Sequence, residues 1–285
     1  MLAGGGARAF AHVGVLRELE EAGYPVNRIA GASVGAAIAG IYAMSRDGAE
    51  LEERTFAEFV ARNPFNDWTI PKHALTRGVR VRASVVRVTG DAAMEGLSRQ
   101  LSLVSTDLMS RTRQVHRRGP LLDGVLASLR LPVLFPPIPT DSGQLLMDGG
   151  VVDNLPVDLV LERDEGPVVA VNISMGGGSG SNGRARGVRR PRVPVLGETL
   201  LRTMMIGAGG AVDAAHGRGA VVITPATLGV GLLEFHQIDR MVLAGREAAR
   251  ALLAEGSLDL GARAEPDVGA YVGPEELAEG EPALA

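Results

Sequence analysis

Three short stretches hold the residue types that acyl chemistry needs: Gly31-Ala32-Ser33-Val34-Gly35, Gly4-Gly5-Gly6-Ala7-Arg8 and Asp148-Gly149-Gly150. The first is a G-x-S-x-G. An apolar lead-in, Ile29-Ala30, precedes it, and small helix-formers from Ala36 to Met44 follow, so the pattern reads strand, sharp turn, helix. A serine at such a turn is a nucleophile elbow: the bend leaves no room for side chains at Gly31 and Gly35 and pushes the hydroxyl outward. The helix that starts there aims unpaired N–H groups at any anion forming beside Ser33. A bare G-x-S-x-G is a weak sign in a chain with 38 glycines. The strand and helix context and the other two stretches strengthen it.

The loop Gly4 to Arg8 feeds an amphipathic helix, Phe10 to Ala22, whose apolar face is Val13, Leu16 and Leu19. A glycine-rich loop entering a helix presents backbone donors to an anion, either a nucleotide phosphate or a reaction oxyanion. A dinucleotide site requires G-x-G-x-x-G and an acid after the second strand. Here Ala9 occupies the third glycine place and the second strand ends in Ser33, so the oxyanion reading fits better. Arg8 adds a charged donor. Asp148 ends the short apolar strand Leu145-Leu146-Met147, and Gly149-Gly150 turn the chain away from it. Taken alone, such an aspartate reads as a turn cap.

These residues need a scaffold. A chain of 285 residues, 46% hydrophobic and 22% charged, can bury a full core. Its net charge of -4 gives no general pull towards nucleic acid. Cysteine is absent, which excludes disulfides, thiolate metal sites and cysteine nucleophiles. No secretory signal and no uncharged apolar run of spanning length is visible. The expectation is therefore a cytoplasmic protein, with peripheral contact at the inner membrane face.

The remaining elements follow in order. Asp47 to Trp68 reads as a surface helix ending at Pro64, with Phe56, Phe59, Phe65 and Trp68 as packing. Arg77 to Val88 alternates basic and apolar residues and reads as an exposed edge strand or basic rim. Leu121 to Leu129 is helical. The proline-rich Leu131 to Pro139 is a rigid apolar loop, equally suited to lining the core or walling an acyl-chain groove. Asp153-Asn154 reads as a cap for a helix near Pro156. Val168 to Ile173 and Ala220 to Thr224 read as strands, and Val195 to His216 and Phe235 to Glu255 as helices. Residues 174–194 form a Gly/Ser/Arg loop whose arginines suit solvent or phosphate headgroups, and 256–285 a frayed tail.

The three blocks in this order, extended by GVLRELEEAG, LPVLFPP and DGGVVDNLPVD, resemble the patatin-like phospholipase family, including its bacterial members and the catalytic domain of neuropathy target esterase. The resemblance covers roughly residues 1 to 255. It implies one α/β domain, a three-layer α/β/α fold with a mostly parallel central sheet. It also implies acyl-ester hydrolysis of a lipid or lysophospholipid by a Ser–Asp dyad, without metal or other cofactor. Ser33 is then the nucleophile, Asp148 the general base and Gly4 to Arg8 the oxyanion hole. Two departures stand out: Ala9 replaces the family's usual glycine, and only Met1-Leu2-Ala3 remain of the first strand, which reads as truncated. Two other readings compete: a Ser–His–Asp hydrolase using His216 or His236, and a catalytically weak lipid-binding or regulatory module.

Overall fold

A computed structural model describes residues 1–161, 166–173 and 209–256, together with Val193, Thr199, Thr203 and Leu258. A 3-10 turn, Gly6–Phe10, leads into α1 (Ala11–Glu21), which buries Val13, Leu16 and Leu19. Strand β1 (Arg28–Ala32) then runs through the elbow into α2 (Val34–Met44). This helix is apolar on every side and is buried from Val34 to Ala43, as its composition requires. Helix α3 (Gly48–Thr55) starts at Asp47, whose side chain accepts from the Glu50 N–H, and continues as a π-helical segment, Phe56–Ala61.

Residues 79–89 overturn the edge-strand expectation. They form α4 (Val79–Thr89), which buries Val81, Ser84, Val85 and Thr89. Their spacing of three and four is helical, and the shorter alternation Val79-Arg80-Val81-Arg82 masked it. The start is set by Gly78 in the left-handed region and by the Asp67 carboxylate, which accepts from Val79 N–H at 2.7 Å.

The central strand is β2 (Gln100–Asp107), followed by β3 (Thr112–His116), α5 (Leu121–Ser128), β4 (Ile138–Pro139) and β5 (Leu145–Asp148). Strand β1 runs parallel to β2, whereas β3 and β5 run antiparallel to it and β4 antiparallel to β5. Thr106 pairs with Arg113 on β3 and Met147 on β5, and Val104 with Ala32 on β1 and Val115 on β3. Strands β1 and β5 therefore share one edge of β2, and β3 takes the other. The parallel side continues through Leu2, which bridges Gly31 and Val171. Beyond it, β6 (Val169–Val171) pairs with β7 (Val221–Ile223). The sheet is thus mixed, parallel on the β1 side and antiparallel beyond β2. A strand of four residues that returns through a tight turn pairs antiparallel, a choice its apolar pattern does not encode.

Helices α2 and α5 pack on β1 and β2, while α1 packs along α7 (Ile238–Ala254); the short α6 (Gly209–Gly217) precedes β7. Phe10, Phe59, Phe65, Phe135 and Phe235 interlock, with Phe65 and Phe235 stacked at 4.1 Å between ring centres. Phe56 and Trp68 stand outside this cluster and are exposed, contrary to the packing expected of them. The 174–194 loop lies outside the described residues except for Val193, as does the tail apart from Gly256 and Leu258, and the helix expected over 195–216 is described mainly from Gly209.

Candidate active site

Ser33 sits between β1 and α2 with φ 55° and ψ −132°, a conformation that costs a residue with a side chain about 1–3 kcal/mol. The surroundings hold it there. Its N–H donates to the Ser128 Oγ of α5 at 2.9 Å, and its carbonyl accepts from the Ala36 N–H of α2. Close approach explains the flanking glycines. A Cβ on Gly31 would lie 2.6 Å from the Gly35 carbonyl oxygen, and one on Gly35 2.5 Å from that of Ala3.

Asp148 arrives from the opposite direction. Along β2, Val104 faces Ala32 and the next residue, Ser105, faces Asp148, so β1 and β5 end head to head. The Ser33 hydroxyl donates to Asp148 Oδ2 at 2.6 Å, and Gly150 N–H donates to Oδ1 at 2.8 Å. Gly149 makes the exit from β5, where a Cβ would meet the Val104 carbonyl oxygen at 2.2 Å. The carboxyl is fully buried, and desolvation pushes its pKa up to about 6 against the pull of its two hydrogen bonds.

The glycine loop forms the adjoining wall. Gly4 N–H donates to Asn154 Oδ1 at 3.1 Å, and Asn154 Nδ2 donates back to the Gly4 carbonyl at 3.2 Å. Just before it, the Ala3 carbonyl accepts from His12 Nε2 at 2.7 Å. His12 is wholly buried, and desolvation lowers its pKa to about 3, so the ring is a neutral donor. Gly6 has φ +60° and lies so near Leu232 that a Cβ would collide with its carbonyl. That carbonyl accepts the Ala7 N–H at 2.8 Å, and Arg8 Nε donates to the Val230 carbonyl. Among the described residues, the N–H groups of Gly5 and Gly6 donate to no protein acceptor.

Gly4, Gly5, Gly6, Ser33, Asp148, Gly150 and Asn154 border one pocket, open to solvent, whose other walls are apolar. Leu131, Leu134 and Phe135 of the proline-rich loop supply one wall, and Phe65, Leu232, Leu233 and Phe235 another. The loop thus both packs on the core and walls the pocket. Ala7, Arg8 and Ala9 do not border it. Arg8 instead ties the glycine loop to Val230, away from the anion position expected for its side chain.

The histidines of the competing hydrolase reading are elsewhere. His216 and His236 are exposed, and His236 Nε2 meets the Gln237 amide. Ser33 Oγ instead contacts a carboxylate directly. Among the described residues, no group of three or more His, Asp or Glu is placed to hold a metal.

Two supporting residues escaped the sequence reading. Asn154 was expected to cap a helix, yet its side chain pairs with Gly4, 150 positions away. Only a 3-10 turn, Val157–Leu159, follows Pro156, with no side-chain cap. Asp153 also does not cap: it pairs with Arg113, which holds Asp158 as well. Ser128 is fully buried on an otherwise apolar helix face. That lone polar residue was the available signal, because a buried hydroxyl needs a partner.

The profile of the patatin-like phospholipase family matches residues 1–161. An uncharacterised NTE family protein of Mycobacterium tuberculosis is 37% identical over 268 residues, covering 89% of this chain and 46% of that protein. Patatin-like phospholipase domain-containing protein 6 of Homo sapiens is 36% identical over 179 residues, 61% of this chain and 13% of that protein. Lysophospholipase nte1 of Emericella nidulans is 30% identical over 285 residues, 91% of this chain and 18% of that protein. Among solved structures, VipD from Legionella pneumophila aligns at 15% identity with a TM-score of 0.48, over 89% of this chain and 66% of that one. The chain spans about half the length of the mycobacterial relative and under a fifth of the other two. With more than half of its residues matched by the family profile, the chain belongs to the patatin-like phospholipase family.

Proposed function

We propose that the chain is a serine lipid acyl hydrolase that cleaves fatty-acyl esters of a phospholipid or lysophospholipid through Ser33 and Asp148. The observation that carries this reading is the 2.6 Å contact between Ser33 Oγ and a buried Asp148 beside an apolar pocket. Asp148 takes the hydroxyl proton as Ser33 Oγ attacks the ester carbonyl, and a Ser33–acyl bond begins to form. The tetrahedral oxyanion is held by the N–H groups of Gly5 and Gly6. The other candidates in that loop are already engaged: Gly4 N–H by Asn154 and Ala7 N–H by Leu232. Asp148 returns its proton to the departing alcohol, then accepts one from the water that attacks the acyl-enzyme and passes it to Ser33 Oγ as the Oγ–acyl bond breaks and the fatty acid leaves.

An aspartate with a pKa of about 6 suits this task, being charged at neutral pH and more basic than an exposed carboxylate. The acyl chain lies along Leu131, Leu134 and Phe135, while the headgroup stays at the open mouth. A lipid substrate implies peripheral contact with a membrane, and among the described residues no helix is long and apolar enough to cross one.

The test is hydrolysis of a p-nitrophenyl acyl ester by wild type, Ser33→Ala and Asp148→Asn, with fluorophosphonate labelling of Ser33. Both substitutions are expected to lower kcat by at least about 10³-fold. Wild-type rates in either variant would refute the dyad. Failure of the probe to label the folded wild type would favour a lipid-binding module without catalysis.

A further inference from the structure

Trp68 and Ile70 are large apolar side chains exposed at 56% and 91%. They belong to a small hairpin, residues 68–76, closed by the Trp68–Thr76 bridge and by Thr69 N–H donating to the Leu75 carbonyl at 2.9 Å. The hairpin is fastened to the pocket wall. Leu75 N–H donates to the Val133 carbonyl at 2.8 Å, and both N–H and Oγ1 of Thr76 donate to the Leu134 carbonyl. Between the wall residues Leu131 and Leu134, Val133 is itself exposed and has φ +66°, a strained conformation for a β-branched residue. Leu233, which lines the pocket, is also partly exposed. Exposed apolar side chains therefore run from the pocket wall at Val133 and Leu233 to Trp68 and Ile70 of the hairpin fastened to it.

Along residues 66–82 the exposed charge has one sign. Lys72, the chain's only lysine, and Arg77, Arg80 and Arg82 are all exposed. The one acid in the stretch, Asp67, is buried with its carboxylate turned to the start of α4. This local excess of positive charge stands against a net charge of -4 for the whole chain. A hairpin that exposes Trp68 at its base and Ile70 in its loop, flanked by basic side chains, fits the boundary of an anionic bilayer. There an indole settles at headgroup level, and lysine and arginine are drawn to the negative surface.

We propose that the Trp68–Thr76 hairpin docks on an anionic phospholipid surface and presents the mouth of the Ser33 pocket to it. The docking stands on exposure and charge; its purpose rests on the hydrolase reading above. Trp68 is the single tryptophan, so its fluorescence reports docking directly.

The full chain is titrated with phosphatidylcholine vesicles, with and without one quarter phosphatidylglycerol. The expected result is a blue shift with the mixed vesicles, quenched by brominated acyl chains and unchanged in Ser33→Ala. Ile70→Asp should weaken vesicle binding at least about tenfold, and Arg80→Glu should weaken it only where phosphatidylglycerol is present. In Ile70→Asp, hydrolysis of soluble p-nitrophenyl butyrate should stay at the wild-type rate, while release of fatty acid from vesicles falls. A shift without any ester hydrolysis would defeat the hydrolase reading and leave docking intact. Docking itself is overturned by absence of a shift with the mixed vesicles, by equal binding of Ile70→Asp, or by a shift that follows protein concentration without lipid.

Discussion

Ser33 and Asp148 meet because two strands that run towards each other stop at consecutive positions on one edge of β2, at Val104 and Ser105. The 2.6 Å contact between their side chains is thus set by sheet register rather than by either turn alone. A slip of one residue in β5 would send the carboxylate to the other face of the sheet.

The buried carboxyl makes activity and stability respond oppositely to pH. As the proposed base, Asp148 must be charged, so kcat/KM should rise as pH increases through about 6. Its pKa is raised on folding from 3.8, so between those values the folded state holds a proton that the unfolded chain has released. Stability therefore falls as pH rises through that window, and the cost persists above it, on the order of 2–3 kcal/mol. Asp148→Asn should be inactive and, by thermal unfolding at pH 8, have a higher Tm than wild type. An unchanged or lower Tm would contradict the burial argument.

The reciprocal pair between Asn154 and Gly4 should matter to rate more than to substrate binding. With Asn154→Ala the glycine loop loses its hold on the pocket side and Gly4 N–H loses its acceptor. We expect kcat to drop about 10–100-fold, less than the 10²–10³ typical of losing an oxyanion donor outright, with KM nearly unchanged. Steady-state kinetics on a p-nitrophenyl ester series decides this; a rise in KM at constant kcat would point to a pocket role instead.

Ser128→Ala would leave the Ser33 N–H buried and unpaired, at about 1–3 kcal/mol. Because that bond also steadies the strained backbone at Ser33, urea unfolding should show the loss together with reduced fluorophosphonate labelling. Ser128→Thr, which keeps the hydroxyl, should recover part of both.

Gly149→Ala places a methyl group where the Val104 carbonyl lies, 2.2 Å away. The end of β5 must move, and Asp148 moves with it. Activity should fall at least about 100-fold even in protein that remains folded by circular dichroism. Gly143→Ala, at the turn before β5, meets nothing within 4 Å and serves as a control: its positive φ should cost stability while leaving the rate alone.

Local patterns made much of this legible. The elbow at Ser33, the short strand ending at Asp148, the apolar α2 and the rigid loop at Leu131–Pro139 all follow from glycine placement, apolar runs and proline chemistry. The misread stretches share a cause. Arg77 to Val88 showed a two-residue alternation over too short a window, whereas its helical face appears only over three turns and depends on Asp67, outside it. Asn154 looked like a cap because asparagines near a turn usually serve that way, and nothing near it in the chain names Gly4 as its partner.

By itself, then, the order of residues determined the kinds of groups present and the local bends that expose them: a hydroxyl on a tight turn, a carboxylate at a strand end, a loop rich in backbone donors. Tertiary structure decided which of these meet and in what state. It brought Asp148 to Ser33 through β2, took Gly4 and Ala7 out of the free donor set, turned Arg8 away and raised the pKa of the carboxyl by burying it. The reason is physical: turn and strand preferences act over a few neighbouring residues, whereas hydrogen-bond partners and desolvation depend on chain segments that only the packed core brings into contact.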